Sequence, residues 1–212
     1  MENVASLIDV KIMSLGESSP IRKVDGVSEV IANRRHYSAK RLVGPGPSQS
    51  QIEKLFEAAA AAPDHGGETP WRFVLINKDK RPHLGDAFAS ALYERDNGTS
   101  AEDLNKAREK AFNAPFLALA ISKQEISSEL GANTERLISL GCAIQNILIS
   151  ATALGFGSGL TSGKAMNSSA VRNLFKVNEN EVCICFINIG NVLSVPKVTR
   201  IRPSIRGFIS SL

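Results

Sequence analysis

The sequence predicts an α+β fold in which a central sheet is flanked by helices. Apolar runs at Trp71–Asn77, Phe116–Ile121 and Glu181–Val192 read as buried strands. The segments around them place apolar residues at helical spacing, as at Ile52, Leu55, Phe56 and Ala59. Clear punctuation bounds these segments, above all the break Gly44-Pro45-Gly46-Pro47 and the stop at Pro63. A chain of 212 residues, 43% apolar and 22% charged, has enough apolar content for one soluble domain with a substantial core.

The elements follow in order. Val4, Leu7, Ile8, Ile12 and Leu15 form a helical stripe, and Gly16–Gly26 is a polar connector. Residues 1–26 therefore read as an N-terminal arm, either packing on a partner subunit or fraying, ahead of a domain over 27–212. Glu2 and Asp9, with no long apolar core after them, argue against a secretory signal. A short helix from Val27 delivers Arg34 and Arg35. Ser48 followed by Gln51 is a capping box for the helix that ends at Pro63. Leu84, Phe88, Ala91 and Leu92 mark the next helix, Ala101–Phe112 another, and Val171–Phe175 a short one. The tail from Val198 to Leu212 is extended and basic.

Composition excludes several function classes. A net charge of +4 suits either a site for an anionic cofactor or a solvated basic surface. The cations are scattered among 21 acids, so a nucleic-acid face is not expected. Three cysteines without a CxxC pair, and three histidines, predict no metal site and no disulfide framework. They read as buried thiols, with Cys183 and Cys185 on one face of their strand. Leu137–Gly163 carries no charge and is long enough to span a bilayer. Its serines, asparagine, glutamine and glycines dilute it, and a core helix of an obligate dimer explains the pattern better.

Two glycine motifs fail on inspection. Gly155-Phe156-Gly157-Ser158-Gly159 follows a helix rather than a strand and has Leu160 where the dinucleotide fingerprint needs glycine. Gly159–Lys164 has three residues between its glycines, and Ala165 where a P-loop needs Ser or Thr. Two stretches remain as carriers of chemistry. Ile31–Ser38 (IANRRHYS) presents adjacent guanidinium groups, which suit a phosphate. Ala58–Ile76 (AAAAAPDHGGETPWRFVLI) runs from helix through a glycine turn, which permits close backbone approach to a flat ligand, into a strand. Trp71 within it reads more readily as core than as a site residue.

Together these stretches resemble the FMN-dependent nitroreductase family. The resemblance rests on Asn33-Arg34-Arg35, then Ala62-Pro63-Asp64-His65 with Pro70-Trp71-Arg72-Phe73. Asn113-Ala114-Pro115, Gly155-Phe156-Gly157 and Arg202-Pro203 ahead of Phe208-Ile209 support it. The pieces run in family order over roughly residues 27–210, and the Pro-Asp-His form is similar to the shorter-chain members.

The resemblance implies a nitroreductase-like fold and an intertwined homodimer with FMN at its interface; the buried thiols, for their part, suit a reducing, cytoplasmic location. The implied activity is two-electron, ping-pong reduction of nitroaromatic or quinone-like small molecules, with NADPH or NADH as donor and no membrane or nucleic-acid partner. Alternatives are a flavin sensor or storage protein without turnover, and a related flavin-dependent dehydrogenase. The implied FMN contacts are Arg34, Arg35 and His36 around phosphate and ring, and Leu160, Thr161 and Ser162 along the ring. Arg200 or Arg202 would meet the phosphate, and His65 would reach the flavin of the facing subunit. A salt bridge for Arg35, an Asp64-His65 turn pair and a plain turn at Leu160–Ser162 are the competing assignments. No side chain is required as catalytic acid, base or nucleophile, because the flavin carries the electrons. The chain departs from the family pattern at His36, where Ser is common, and at Gly67 and Thr69, where Asn or Ser and Gln are usual. Leu160 stands where short members can carry a large aromatic, which leaves a roomier pocket.

Overall fold

A computed structural model describes residues 24–64, 67–125, 130–193 and 201–212. The N-terminal stripe, His65, Gly66 and Arg200 lie outside the described residues. The chain divides after Arg34 into two compact units. In the first, helix α1 (Val24–Asn33) ends at Arg34, whose N–H donates to Val30 O at 3.0 Å.

The second unit is built on an antiparallel sheet. Its strands are β1 (Leu42–Val43), β2 (Trp71–Leu75), β3 (Phe116–Lys123), β4 (Gly157–Thr161) and β5 (Glu181–Val192). The order is β1-β5-β3-β2, and β4 also pairs with β5. The helices are α2 (Gln49–Ala60), α3 (Arg81–Arg95), α4 (Ala101–Glu109), α5 (Leu130–Ala153) and α6 (Ser169–Leu174). Several expected boundaries shift: α1 begins at Val24 rather than Val27, and the tail, expected to be extended, turns through a 3₁₀ helix at Ile205–Gly207. Helix α4 gives way at Lys110–Phe112 to a 3₁₀ turn, and Leu160–Thr161 is strand rather than turn.

The capping box forms as expected. Ser48 N–H donates to Gln51 Oε1 at 2.8 Å while Ser48 Oγ accepts from Gln51 N–H at 3.4 Å. Helix α2 then turns Leu55 and Ala59 onto one face of the sheet, where α5 packs with Leu140, Ala143, Ile147 and Ala151. Ala118 and Ala120 of β3 and Ile187 and Ile189 of β5 meet them. The opposite face of β3, Leu117, Leu119 and Ile121, packs with Leu84 and Ala87 of α3, Val171 of α6 and Phe186. Trp71 belongs to the core as expected, packed on the α5 side, and its Nε1 donates to Ser139 Oγ at 3.0 Å.

One strand expectation is corrected. Cys185 packs on the α5 side and Cys183 on the α3 side, although they stand two residues apart. The register between β3 and β5 shifts at Ala120/Ile121: Ala120 opposes Cys185 and Ile121 opposes Cys183, so Ile184 is an extra residue. A bulge of this kind reverses the facing of everything beyond it. Burial pushes the Cys185 thiol up to about 11.

Charges that enter the sheet region are held by specific partners. Arg72 donates to both Glu181 oxygens at 2.7 and 2.8 Å. That fork holds the Glu181 carboxyl below its ordinary range, so its contribution to stability is lost as pH falls through that lowered value. Arg81, only 3% exposed, donates to the carbonyls of Ile76, Ala111 and Pro115. Pro115 also explains Gly190, because a Cβ there would lie 2.6 Å from Pro115 Cδ.

Helix α5 is long and apolar enough by composition to cross a membrane, with a mean hydropathy of 1.3 over its most apolar window. It is buried on one side only. One face is buried against α2 and the sheet, while Leu137 and Ile138 on the other are 43% and 60% exposed.

Candidate functional site

The site is organised by a backbone crossing. His36 forms a parallel bridge with Ser158, and Tyr37 N–H donates to Ser158 O at 2.9 Å. The Arg35–Tyr37 segment thus lies along β4, and two glycines make that approach possible. A Cβ on Gly159 would run into Tyr37 O and stand 3.1 Å from His36 Cε1; one on Gly157 would run into the Val192 side chain. The glycines that mimic a dinucleotide fingerprint in the sequence therefore serve close backbone packing. Gly155, at φ +84°, closes the turn after α5.

At the end of β4 opens a cavity of about 430 Å³, with Ala39, two residues beyond the crossing segment, in its wall. Thr161 and Ser162 line it, joined by Lys164 and Met166 from the following turn. Helix α3 contributes Phe88 and Arg95, the turn after α4 contributes Lys110 and Asn113, and the sheet contributes Leu117, Phe186 and Asn188. Phe88 and Phe186 meet edge to face at 5.6 Å, making an apolar wall. Asn188, 2% exposed, donates to Gly159 O at 3.2 Å and Thr161 Oγ1 at 3.0 Å, tying strand end to sheet.

The lining holds Arg95, Lys110 and Lys164 and no carboxylate. A second cavity, of about 530 Å³, has the opposite character. It is lined by Pro63, Asp64, Glu68, Glu125 and Glu135 around Arg136, which pairs with Glu125 and, at 3.7 Å, with Glu68. An anionic ligand is favoured by the first cavity and opposed by the carboxylates of the second.

The structure brings together part of the set expected from sequence. Arg35 and His36 belong to the segment seated on β4, and Thr161 and Ser162 stand in the cavity wall. Leu160 is not with them: adjacent strand residues alternate faces, and its side chain packs into the α5-side core. Arg202 lies exposed in the tail, while Arg34 ends the first unit. The cavity residues Arg95, Lys110, Asn113, Lys164 and Asn188 were not read as site residues from the sequence, where Asn113 entered only as part of Asn113-Ala114-Pro115 and Lys164 only in the rejected P-loop motif. Only Asn188 left a signal there, as an amide inside the apolar run of β5, and it is bonded on three sides.

Comparison with known proteins gives a consistent match. The nitroreductase family model matches residues 33–191. A Haemophilus influenzae protein named "Putative NAD(P)H nitroreductase" is 33% identical over 153 residues, covering 72% of this chain and 82% of that one. The crystal structure of a nitroreductase-like family protein from Bacillus cereus superposes with a TM-score of 0.74 at 17% identity, covering 94% of this chain and 98% of its own. The FMN and NADPH-dependent nitroreductase NfnB from a sphigopyxis species superposes at 0.68 and 16% identity, covering 88% and 98%. These two structures establish the shared fold.

Gly159 gives a direct check of the crossing. Gly159→Ala should destabilise the protein by about 1–3 kcal/mol, because the carbonyl it meets is backbone and must move. Gly163→Ala, with nothing within 4 Å of its Cβ, should stay within about 0.5 kcal/mol. Urea midpoints of the two variants measure the difference; equal midpoints would remove the packing role assigned to Gly159.

Proposed function

Because the chain belongs to the nitroreductase family, we propose that it reduces small nitroaromatic or quinone-like acceptors by two electrons as an FMN-dependent NAD(P)H oxidoreductase. The observation that carries this reading is the bridge from His36 to Ser158, which joins the arginine segment to the strand ending in the cavity wall. FMN has a dianionic phosphate, a polar ring edge and a broad apolar ring face. The residues of the second unit fit such a group: a guanidinium at Arg35 beside β4, polar side chains at Thr161, Ser162 and Asn188, and apolar walls at Leu117, Met166 and Phe186. Bound there, FMN would supply the two-electron redox chemistry between the nicotinamide donor and the acceptor.

The chain's own residues bind and orient. Arg34, with Arg200 or Arg202, is assigned to the phosphate, and Arg35 and His36 to the phosphate and ring. Thr161 and Ser162, with the backbone of Leu160, are assigned to the ring edge, and His65 to the flavin of the facing subunit. A cation near the pyrimidine edge favours the reduced, anionic flavin and raises its potential. The free thiols Cys142, Cys183 and Cys185 suit a reducing compartment such as the cytoplasm.

A homodimer completes this reading. Leu137 and Ile138 on α5, and Ile205, Phe208 and Ile209 in the tail, are all at least 43% exposed, leaving apolar surface that a second copy can cover. Light scattering at micromolar concentration should report about twice 22.8 kDa. A monomer that retains flavin would overturn the dimer.

Purified protein should be yellow, and its flavin absorption should bleach under NADPH without oxygen. Recovery on adding a nitroaromatic or quinone should follow, with parallel double-reciprocal lines because the oxidised nicotinamide leaves before the acceptor enters. Bleaching that no acceptor reverses faster than air does would point to a sensor; intersecting lines would point to a ternary complex.

Arg34 separates phosphate from ring. A hydrogen bond to a charged group is worth about 1.5–3 kcal/mol, so Arg34→Ala should weaken FMN binding by roughly 10- to 150-fold. Riboflavin, which lacks the phosphate, should bind almost as before. Equal losses for both ligands, read from quenching of flavin fluorescence, would move Arg34 to the ring; no loss would remove it from the site.

A further inference from the structure

We propose that the cavity at the end of β4 recognises an anionic group, carboxylate or phosphate, on a planar redox partner through Arg95, Lys110 and Lys164. The proposal rests on the flavin-oxidoreductase reading for the identity of that partner.

The three cations come from three separate elements, the end of α3, the turn after α4 and the turn after β4, and converge on one cavity. Among the described residues none makes a side-chain hydrogen bond or ion pair. Their neighbours on α4 behave differently: Lys106 pairs with Glu102 at 2.7 Å, and Arg108 with Asp86 at 2.9 Å. No carboxylate enters this lining, although Lys110 also borders the neighbouring recess of Asp96, Asp103 and Glu109; within the cavity the cations face apolar walls and neutral polar groups, where an anion gains from their combined field. Buried Arg81 adds positive charge behind the wall. Its guanidinium is held by the carbonyls of Ala111 and Pro115, which flank Asn113 in the turn that also carries Lys110, and by Ile76 O, all neutral groups.

Size and position narrow the ligand. About 430 Å³ falls within the roughly 300–1,000 Å³ of small-molecule sites. The Phe88–Phe186 wall accepts a flat ring, and the cations supply the contact for its charged substituent. On the proposed reading, the flavin phosphate belongs with Arg34 and Arg35, and Thr161 and Ser162 with the ring. The three cations share the cavity with Thr161 and Ser162, so they stand at the ring end, where donor and acceptor enter. The anion is therefore a carboxylate on the acceptor or a phosphate on the nicotinamide donor.

Calorimetric titration of the flavin-loaded protein tests this without turnover. The probes are 4-nitrobenzoate against its neutral methyl ester, and NADP⁺ against nicotinamide, which is neutral and lacks every phosphate. Wild type should prefer the anionic member of at least one pair, and added salt should shrink that preference. Lys110→Gln, Lys164→Gln and Arg95→Gln, all at exposed positions and checked for unchanged melting temperature, should each weaken that anionic probe by about three- to tenfold. The neutral probe should hold its affinity. A loss confined to 4-nitrobenzoate assigns the cations to the acceptor, and one confined to NADP⁺ assigns them to the donor. Unchanged ratios in both pairs, or equal wild-type binding of charged and neutral probes, overturn the proposal. So does a fall in FMN affinity with riboflavin unaffected, which would give the cations to the flavin phosphate. Because binding is read directly, failure of NADPH to bleach the flavin would reject the redox reading alone.

Discussion

Strand β5 is hydrogen-bonded on both edges, and the rest of the second unit depends on that pairing. Along one edge it meets β3 from Glu181 to Ile189; along the other it meets β4 from Phe186 to Gly190 and then β1. A strand buried on both faces and paired on both edges leaves its backbone groups satisfied without water, which allows its middle residues to be almost fully enclosed. The polar side chain admitted there, Asn188, is used to bind Gly159 O and Thr161 Oγ1. Through that amide the centre of the sheet positions the strand end that lines the cavity.

The site is thus assembled by backbone before side chains enter. Gly157 and Gly159 allow the Arg35–Tyr37 segment to lie on β4, and the bridge at His36 sets where that segment passes. The cavity forms beyond the last paired residue of β4, between the sheet and α3 with the turn after α4. Its charge character is the reverse of the acidic cavity beside Pro63 and Asp64. Electrostatic potential therefore differs sharply between the two recesses, and an anion has a preferred address.

Much of this fold was legible in the sequence because its signals are local. The capping box at Ser48–Gln51, the apolar faces of α2 and α3 and the buried runs of β3 and β5 all follow from spacing. The core role of Trp71 was legible too, since an indole beside an apolar strand has an obvious destination. The facing of Cys183 was not, because period-two alternation assumes an unbroken ladder and the bulge at Ile184 interrupts it. Leu160 was grouped with Thr161 and Ser162 by resemblance, for its backbone; where its side chain goes was not legible, and strand alternation sends it into the α5-side core.

The sequence by itself determined the family, the helices and the strands β2, β3 and β5, and the short motifs at Asn33–His36 and Ala62–Phe73, because these are properties of contiguous residues; β1 and β4, too short or too rich in glycine to show an apolar run, were decided by pairing with β5. Only the tertiary structure decided which side chains share a cavity. Arg95, Lys110 and Lys164 lie between 15 and 69 positions apart in the chain, and no spacing rule links a helix end, a 3₁₀ turn and a strand exit. Their convergence depends on how α3 and the end of α4 pack against the sheet, which is fixed by the contacts of Leu84, Ala87 and Ala111 with β3.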